Sequence, residues 1–158
     1  MELRKIDKNN VWKILRLKVR DDQYDFVASN VESIVEAYIT VTDGKVALPF
    51  GLYENGEPVG FAMIGYDSIG DEDEPSVADG NYCLWRFMID KDKQGRGLGK
   101  KALQAVLDYI RSLPCGEAKY IWLSYEPENT AAKALYGSIG FRENGETDGD
   151  EIVAVLKL

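Results

Sequence analysis

The chain has 158 residues, with 27 acidic and 19 basic side chains, two cysteines and no histidine, which gives a net charge of −8. This length suits one domain, 1–158, with its own hydrophobic core. The absence of histidine excludes a Ser-His-Asp triad and a histidine-ligated metal site, so proton transfer falls to carboxylates, tyrosine, lysine, cysteine or water. The acidic balance argues against nucleic-acid and anionic-membrane surfaces and favours a cationic partner.

The sequence carries no targeting or membrane signal. Its first residues lack the apolar segment of a signal peptide, and no apolar stretch approaches the length that spans a bilayer. Cys83 and Cys115 are not spaced as a CxxC pair. We therefore predict a cytoplasmic protein with two reduced thiols and no metal.

The first third of the chain is predicted to contain a strand at 2–6, a helix at 7–19, a loop at 20–28 and a second helix that begins at Ser29. Glu32 follows Ser29 by three residues, as in a capping box. Helical spacing predicts that the buried faces of these helices are formed by Val11, Trp12, Leu15 and Val19 in the first and by Ile34, Ala37, Tyr38 and Val41 in the second.

The period then changes to that of strands. Apolar runs at 47–54 and 59–66 flank Asn55-Gly56, a strong hairpin signal, and an acidic loop follows at 71–75. The remaining predicted elements are strands at 82–89, 120–125, 141–144 and 152–158, helices at 97–113 and 129–139, and a turn at 145–150. This order predicts one α/β domain, a mixed sheet of seven strands with helices on both faces.

Three alternating glycines, Gly95, Gly97 and Gly99, link the strand at 82–89 to the helix that follows. Glycines let a ligand approach the backbone, and the free N–H groups and dipole of a helix N-terminus favour an anion. Arg96 and Lys100 add positive charge, although the spacing is neither a Walker A nor a Rossmann motif. The glycines alone fit an ordinary turn equally well, whereas the order of strand, basic turn and helix favours a phosphate site.

Two segments carry a resemblance to a known family. Gln94-x-x-Gly97-x-Gly99 resembles the acetyl-CoA signature of the GNAT N-acetyltransferase superfamily, and Asn129-x6-Tyr136 followed by Gly140-Phe141 resembles its later segment. Within the superfamily, residues 85–90 and 123–129 look most like the Blt-type spermine/spermidine acetyltransferases. The resemblance implies a GNAT-like, mostly antiparallel sheet and an acetyltransferase.

The resemblance also implies acetyl-CoA as co-substrate and assigns roles to residues. The Phe87 N–H would donate to the acetyl carbonyl, Asn129 would bind the pantetheine arm, and Tyr136 would give a proton to the departing sulfur. Periodicity alone would favour Tyr136 as a core aromatic, whereas its seven-residue spacing from Asn129 and the fit to the family pattern favour the catalytic role. The residues implied to bind the co-substrate are Phe87, Met88, Ile89, Gln94, Gly95, Arg96, Gly97, Leu98, Gly99, Lys100, Asn129 and Tyr136.

The resemblance, together with charge, also implies a base and an acceptor site, because in the family the acceptor lies near the first two helices and two strands diverge around the thioester. Glu126, at the end of a strand, is the first candidate for the base, directly or through water, with Glu128 and Asp67 as lesser candidates. A solvent-facing role for Glu126 is the alternative. We expect Glu32, Glu36 and Trp85 to bind a cationic acceptor, the last by a cation–π contact. The plain alternatives are that Glu32 only caps its helix and that residues 71–74 form a solvated loop.

The functional prediction is acetyl transfer from acetyl-CoA directly to a primary amine of a polyamine such as spermidine or spermine. The alternatives are a GNAT enzyme acting on a protein N-terminus, a lysine or an aminoglycoside, and a non-catalytic acetyl-CoA-binding sensor. The expected partner is a small amine, without nucleic acid or membrane, and the resemblance favours a homodimer.

Overall fold

A computed structural model describes residues 1–158 and contains seven β-strands and four α-helices. The strands are β1 (Glu2–Lys5), β2 (Val46–Glu54), β3 (Glu57–Tyr66), β4 (Tyr82–Ile89), β5 (Tyr120–Tyr125), β6 (Arg142–Asp148) and β7 (Glu151–Lys157). The helices are α1 (Val11–Ile14), α2 (Asn30–Thr42), α3 (Leu98–Arg111) and α4 (Thr130–Ile139).

All seven strands form one sheet in the order β1-β2-β3-β4-β5-β7-β6. Every neighbouring pair is antiparallel except β4 and β5, which are parallel because α3 connects them. The predicted mixed, mostly antiparallel seven-stranded sheet is therefore confirmed.

Helices cover both faces of this sheet, as predicted. On one face, α3 buries Leu103, Val106 and Leu107 against a core that includes Leu52 and Ile64 from the central strands. On the other face, the segment around α1 and α2 packs against a second core group, which comprises Ile14, Val19, Ala37, Ala47, Tyr53, Phe61, Met63 and Met88. The sheet thus separates two apolar layers.

The first helix is much shorter than predicted, since only Val11–Ile14 is α-helical rather than 7–19. At its start, the Asp7 and Asn10 side chains bind backbone N–H groups and so compete with the helix. Beyond it, the Lys18 N–H donates to the Asp90 carboxylate at 3.0 Å, and the Lys18 carbonyl accepts from the Lys91 N–H at 2.7 Å. These bonds to the end of β4 stabilise an extended segment in place of further helical turns.

The buried face of α2 is also different from the predicted stripe. Tyr38 and Val41 are 73% and 56% exposed, and Trp12 of α1 is 68% exposed. The side chains that α2 buries are Asn30, Ser33, Ala37 and Thr40. Asn30 donates to the Ile14 carbonyl at 2.9 Å, and the capping box at Ser29 and Glu32 fixes the start of the helix. Internal hydrogen bonds therefore let small polar side chains take the buried face.

The last hairpin turns later than predicted. β6 continues to Asp148, and only Gly149 and Asp150 separate it from Glu151, the first residue of β7. Gly149 has a positive φ of 55°, which suits a tight turn. An irregularity between Glu143 and Thr147 absorbs the extra residues of β6. As a result, Asp148 and Glu151 stand opposite each other at the end of the hairpin.

Candidate active site

The centre of the sheet opens between β4 and β5. The two strands pair only at Tyr82 with Ile121 and at Cys83 with Trp122, and they diverge beyond these pairs. A bulge adds to the divergence, because Leu84 and Arg86 oppose consecutive residues of β3 and Trp85 has no partner there. The divergence leaves one edge of β4 without a neighbouring strand.

Backbone groups of Phe87 and Ile89 face this opening. The Asp90 N–H donates to the Val59 carbonyl of β3 at 2.8 Å. Since backbone groups alternate in direction along a strand, residues 88 and 90 turn toward β3, and residues 87 and 89 turn toward the opening. The Ile89 carbonyl accordingly accepts a hydrogen bond from Gln94 Nε2 at 2.9 Å. The Phe87 N–H is a free donor at the place where the resemblance expects the acetyl carbonyl.

A cavity of about 400 Å³, here called the central cavity, fills the opening. Its walls come from β4, the end of β5, the start of α3, one side of α4 and residues 23–28. The cofactor residues predicted from the sequence that line it are Phe87, Met88, Ile89, Gln94, Gly95, Gly97, Leu98, Gly99, Asn129 and Tyr136. Arg96 and Lys100 are exposed and stand outside this lining.

The loop into α3 presents a row of free donors. The six N–H groups of residues 95–100 donate no hydrogen bond to the rest of the chain. Gly95 and Gly97 have φ values of 74° and 73°, and a Cβ at either position would meet nothing within 4 Å. Free N–H groups, the α3 dipole and unobstructed backbone together suit a phosphate or pyrophosphate.

Gln94 braces this loop from within. Its Nε2 donates to the Ile89 carbonyl at 2.9 Å and to Gln23 Oε1 at 2.8 Å. The residue that opens the sequence signature therefore ties the loop to β4 and to residues 23–28. Gln23 was missed at the sequence level, because nothing in a loop without a regular period marks it as a partner of Gln94.

Asn129 and Tyr136 lie on the α4 side of the central cavity. Asn129 caps α4 by accepting the Ala132 N–H at 3.1 Å, and its Nδ2 has no partner in the chain. The half-buried Tyr136 ring lies 6.0 Å from the ring of Tyr125 and 5.9 Å from that of Phe141, and its hydroxyl makes no hydrogen bond with the protein. Desolvation, followed by the negative charge of Glu151, raises the pKa of the Tyr136 phenol. The phenol keeps its proton at neutral pH and can donate it.

A second cavity of about 530 Å³, here called the acidic cavity, adjoins the first. Seven of its twelve lining residues are carboxylates: Asp71, Glu72, Asp73, Glu126, Asp148, Asp150 and Glu151. Trp85, Arg86, Ser124 and Glu151 line both cavities. The two cavities therefore meet at these four residues.

Three of these carboxylates, Asp148, Asp150 and Glu151, were missed in the sequence. They flank a turn far along the chain from the other site residues, and only the pairing of β7 with β5 brings them to the opening. Burial is the main cause that raises the pKa of Asp148 and of Glu151, while the hydroxyl of Ser124 opposes the rise in both. The signal in the sequence that could have indicated them is the cluster of acidic residues on both sides of Gly149.

Of the predicted acceptor ligands, Trp85 lines both cavities, whereas Glu32 and Glu36 line neither. Glu32 accepts the Ser29 N–H at 2.9 Å, and hydrogen bonds with the side chain and then the backbone of Ser29 lower its pKa. Glu36 accepts two hydrogen bonds from Arg86 Nη2, at 2.9 and 3.1 Å. Glu126 lines the acidic cavity but not the central one. The roles given to these residues stay predictions.

No group of three or more cysteine, aspartate or glutamate side chains is arranged to hold a metal ion. None of the helices combines the length and the apolar character that a membrane crossing requires.

Comparison with known proteins identifies the family. The model of the acetyltransferase (GNAT) family matches residues 12–141. A spermine/spermidine N(1)-acetyltransferase of Bacillus subtilis strain 168 is 35% identical over 159 aligned residues, which cover 100% of this chain and 99% of the relative. A ribosomal protein bS18-alanine N-acetyltransferase of Escherichia coli K12 is 30% identical, with 73% of each chain covered.

A solved structure shares the fold. The aminoglycoside acetyltransferase AAC(6')-Ib in complex with coenzyme A superimposes with a TM-score of 0.77 at 21% identity, covering 98% of this chain and 93% of the other. Its agreement with the seven-stranded sheet, the family match and the full-length relative lead to the same conclusion. The chain belongs to the GNAT acetyltransferase family and is an acetyl-CoA-dependent N-acetyltransferase.

Proposed function

We propose that the protein transfers the acetyl group of acetyl-CoA to a primary amine of a polyamine such as spermidine or spermine. The observation that carries this proposal is the acidic cavity, which adjoins the central cavity and shares four lining residues with it. A polyamine carries several ammonium groups at intervals, and seven carboxylates supply the complementary charge. The full-length identity of 35% to a spermine/spermidine N(1)-acetyltransferase supports the same substrate class.

Arg86 and Glu36 act together in this proposal. Arg86 lines both cavities and would repel a cationic acceptor, but its guanidinium is paired with the Glu36 carboxylate at 2.9 Å. The guanidinium carbon also lies 5.5 Å from the Trp85 ring centroid. Glu36 thus supports acceptor binding by holding and neutralising Arg86. Glu32 is engaged in the cap of α2, so no contact with the amine is proposed for it.

In this proposal, the residues in and around the central cavity have separate roles in acetyl transfer. Acetyl-CoA supplies the thioester. The N–H groups of residues 95–100 bind the pyrophosphate, Asn129 Nδ2 binds the pantetheine arm, and the Phe87 N–H donates to the acetyl carbonyl oxygen. Tyr136 gives its phenolic proton to the sulfur that leaves.

A panel of amines tests the substrate class, with release of the coenzyme A thiol as the readout. The panel contains spermine, spermidine, a simple alkyl monoamine, kanamycin and a peptide that begins with alanine. We expect kcat/KM for spermine to exceed that for the monoamine by about 100-fold, because each additional ammonium finds a carboxylate. No acetylation of either polyamine at millimolar concentration would rule the proposal out.

The same panel decides between the alternatives. The 30% identity to a ribosomal protein alanine N-acetyltransferase makes a peptide N-terminus the second candidate acceptor, and preferential acetylation of the peptide would support it. A lack of transfer to every amine would favour a sensor. The homodimer and the cytoplasmic location stay predictions, which light scattering and fractionation can test.

A further inference from the structure

Three side chains at the junction of the two cavities share one unusual hydrogen-bonding problem. Ser124 Oγ lies 3.0 Å from Asp148 Oδ2 and 2.5 Å from Glu151 Oε2. A hydroxyl has one proton, so Ser124 can donate to only one of these two oxygens. The other contact is a hydrogen bond only when that carboxyl is itself protonated and donates to Oγ. The three groups are therefore satisfied together when the two carboxyls share one proton.

Glu151 has a position that no other carboxylate of the site has. Asp25 lines the central cavity alone, and the other six carboxylates line the acidic cavity alone, whereas Glu151 lines both. Glu151 is thus the carboxylate at the junction between the acidic cavity and the central cavity, which Phe87 also lines. Glu126, the base predicted from the sequence, lines only the acidic cavity.

We propose that Glu151 is the general base of the reaction and that Ser124 and Asp148 hold the proton it receives. This proposal rests on the proposed function, because it assumes an amine acceptor. The ammonium gives one proton to the ionised pair of carboxyls, which reaches the shared-proton arrangement around Ser124. The neutral nitrogen then forms the C–N bond while the C–S bond breaks. Tyr136 gives its phenolic proton to the sulfur and regains one, through water, from the second proton that the nitrogen loses. The carboxyl pair then releases its proton to solvent, so that one proton is released per turnover.

The charges around the pair favour a base whose pKa is raised above that of an ordinary carboxyl. Glu151 faces Arg86 from β4, Glu126 after β5, Asp148 from β6 and Tyr136 from α4. Burial raises the pKa of Glu151, the charges of Asp148 and Glu126 add to the rise, and Ser124 and Arg86 oppose it. Asp148 is similarly raised by burial, with smaller contributions from Glu74 and Asp71.

The direction of the pH dependence follows from these charges. A pair that already holds its shared proton cannot take another easily, so kcat/KM falls as pH drops through the higher apparent pKa of the pair. Above that pKa, kcat/KM levels off because the base is ionised. Without the base, only amine that is already neutral reacts, and kcat/KM keeps rising toward the amine pKa of about 10.4.

The test compares wild type with Glu151→Gln on two amines over a range of pH. With spermine at pH 7 we expect kcat/KM to fall by about 100-fold or more, and its logarithm to rise with pH without a plateau. With trifluoroethylamine, whose electron-withdrawing group leaves it largely neutral at pH 7, we expect the two enzymes to agree within about threefold, because no base is needed. An equal loss on both amines would show a structural role and overturn the proposal.

Three variants serve as controls. Asp150→Asn removes a neighbouring charge from the acidic cavity without touching Ser124, so it is expected to raise KM for spermine and keep the pH plateau. Glu126→Gln is expected to keep the plateau too, and loss of the plateau in this variant rather than in Glu151→Gln would assign the base to Glu126. Ser124→Ala should lower kcat/KM for spermine about tenfold and shift the pH at which kcat/KM falls on the acidic side of the profile. A pH profile identical to that of wild type would show that Ser124 has no part in holding the proton.

The measurements distinguish a failure of the Glu151 assignment from a failure of the proposed function. Acetyl-CoA affinity and Tm, measured for each variant, establish that the fold persists. Wild-type enzyme that acetylates no amine contradicts the proposed function itself. Wild-type enzyme that acetylates spermine, together with a fully active Glu151→Gln variant that keeps the plateau, contradicts only the assignment of Glu151.

Discussion

At the scale of single residues, Tyr136 has a phenolic proton that no hydrogen bond within the protein engages. Tyr136 lines the central cavity, its hydroxyl has no protein partner, and desolvation raises the pKa of the phenol. Tyr136→Phe is expected to lower kcat about tenfold or more while the acetyl-CoA dissociation constant stays close to that of wild type. Steady-state rates and a binding titration measure both quantities.

The matched control is Tyr109→Phe. Tyr109 is another helical tyrosine whose hydroxyl donates no hydrogen bond, and it packs edge-on against Phe50 outside both cavities. We expect this variant to retain wild-type kcat. Unaltered turnover in Tyr136→Phe would reject the assignment of the sulfur's proton donor.

Glu151 is expected to lower stability at the pH at which it functions. Its pKa is raised in the folded chain, so folding takes up protons, and the stability contributed by this group is lost as pH rises through the folded pKa. Glu151→Gln removes the buried charge and should raise Tm by a few degrees at pH 8. At pH 4, where the carboxyl of the wild type is protonated, the gain should vanish. A Tm that falls at both pH values would contradict this expectation.

At the scale of elements, β3 and β4 approach each other so closely at Gly60 that the space between them has no room for a side chain. A Cβ on Gly60 would lie 2.3 Å from the Met88 carbonyl oxygen, one residue from Phe87. Gly60→Ala is therefore expected to cost about 1–3 kcal/mol and to reduce activity by displacing β4. Gly65→Ala is the control on the same strand, since its Cβ would meet Cys83 Cβ at an ordinary 3.5 Å. Thermal unfolding and kcat measured on both variants test the difference.

The elements also show which parts of the structure the sequence could reveal. Local signals such as Asn55-Gly56 between β2 and β3 and Gly97 at the start of α3 predict their turns, because a turn depends on the residues within it. The extent of α1 depends on Asp90, which binds Lys18 from the end of a distant strand. No helical period in the sequence contains that contact.

The same distinction applies to the site. The cofactor loop is one continuous segment and is recognisable as a motif, whereas the junction of the cavities joins Ser124 of β5 to Asp148 and Glu151 of the last hairpin. Those residues meet through strand pairing, and the later turn decides that Asp148 and Glu151 flank it. Carboxylates predicted from helix spacing, Glu32 and Glu36, lie outside both cavities.

At the scale of the whole molecule, the net charge of −8 is unevenly distributed, with seven carboxylates around one cavity. Salt screens such interactions over a Debye length of about 10 Å at 0.1 M. We expect KM for spermine to rise about tenfold between 50 and 500 mM salt, and KM for a monoamine to rise much less. Equal salt dependence for both acceptors would show that the acidic cavity does not hold the additional ammonium groups.

The divergence of β4 and β5 has a consequence for the order of events in turnover. The two strands stay joined by only two residue pairs, and beyond them lie two adjoining cavities, each of which is open to solvent. Donor and acceptor can occupy their own openings at the same time, and neither has to leave before the other arrives. Such an arrangement favours a ternary complex over a ping-pong cycle, so the enzyme never has to store the acetyl group on one of its own side chains.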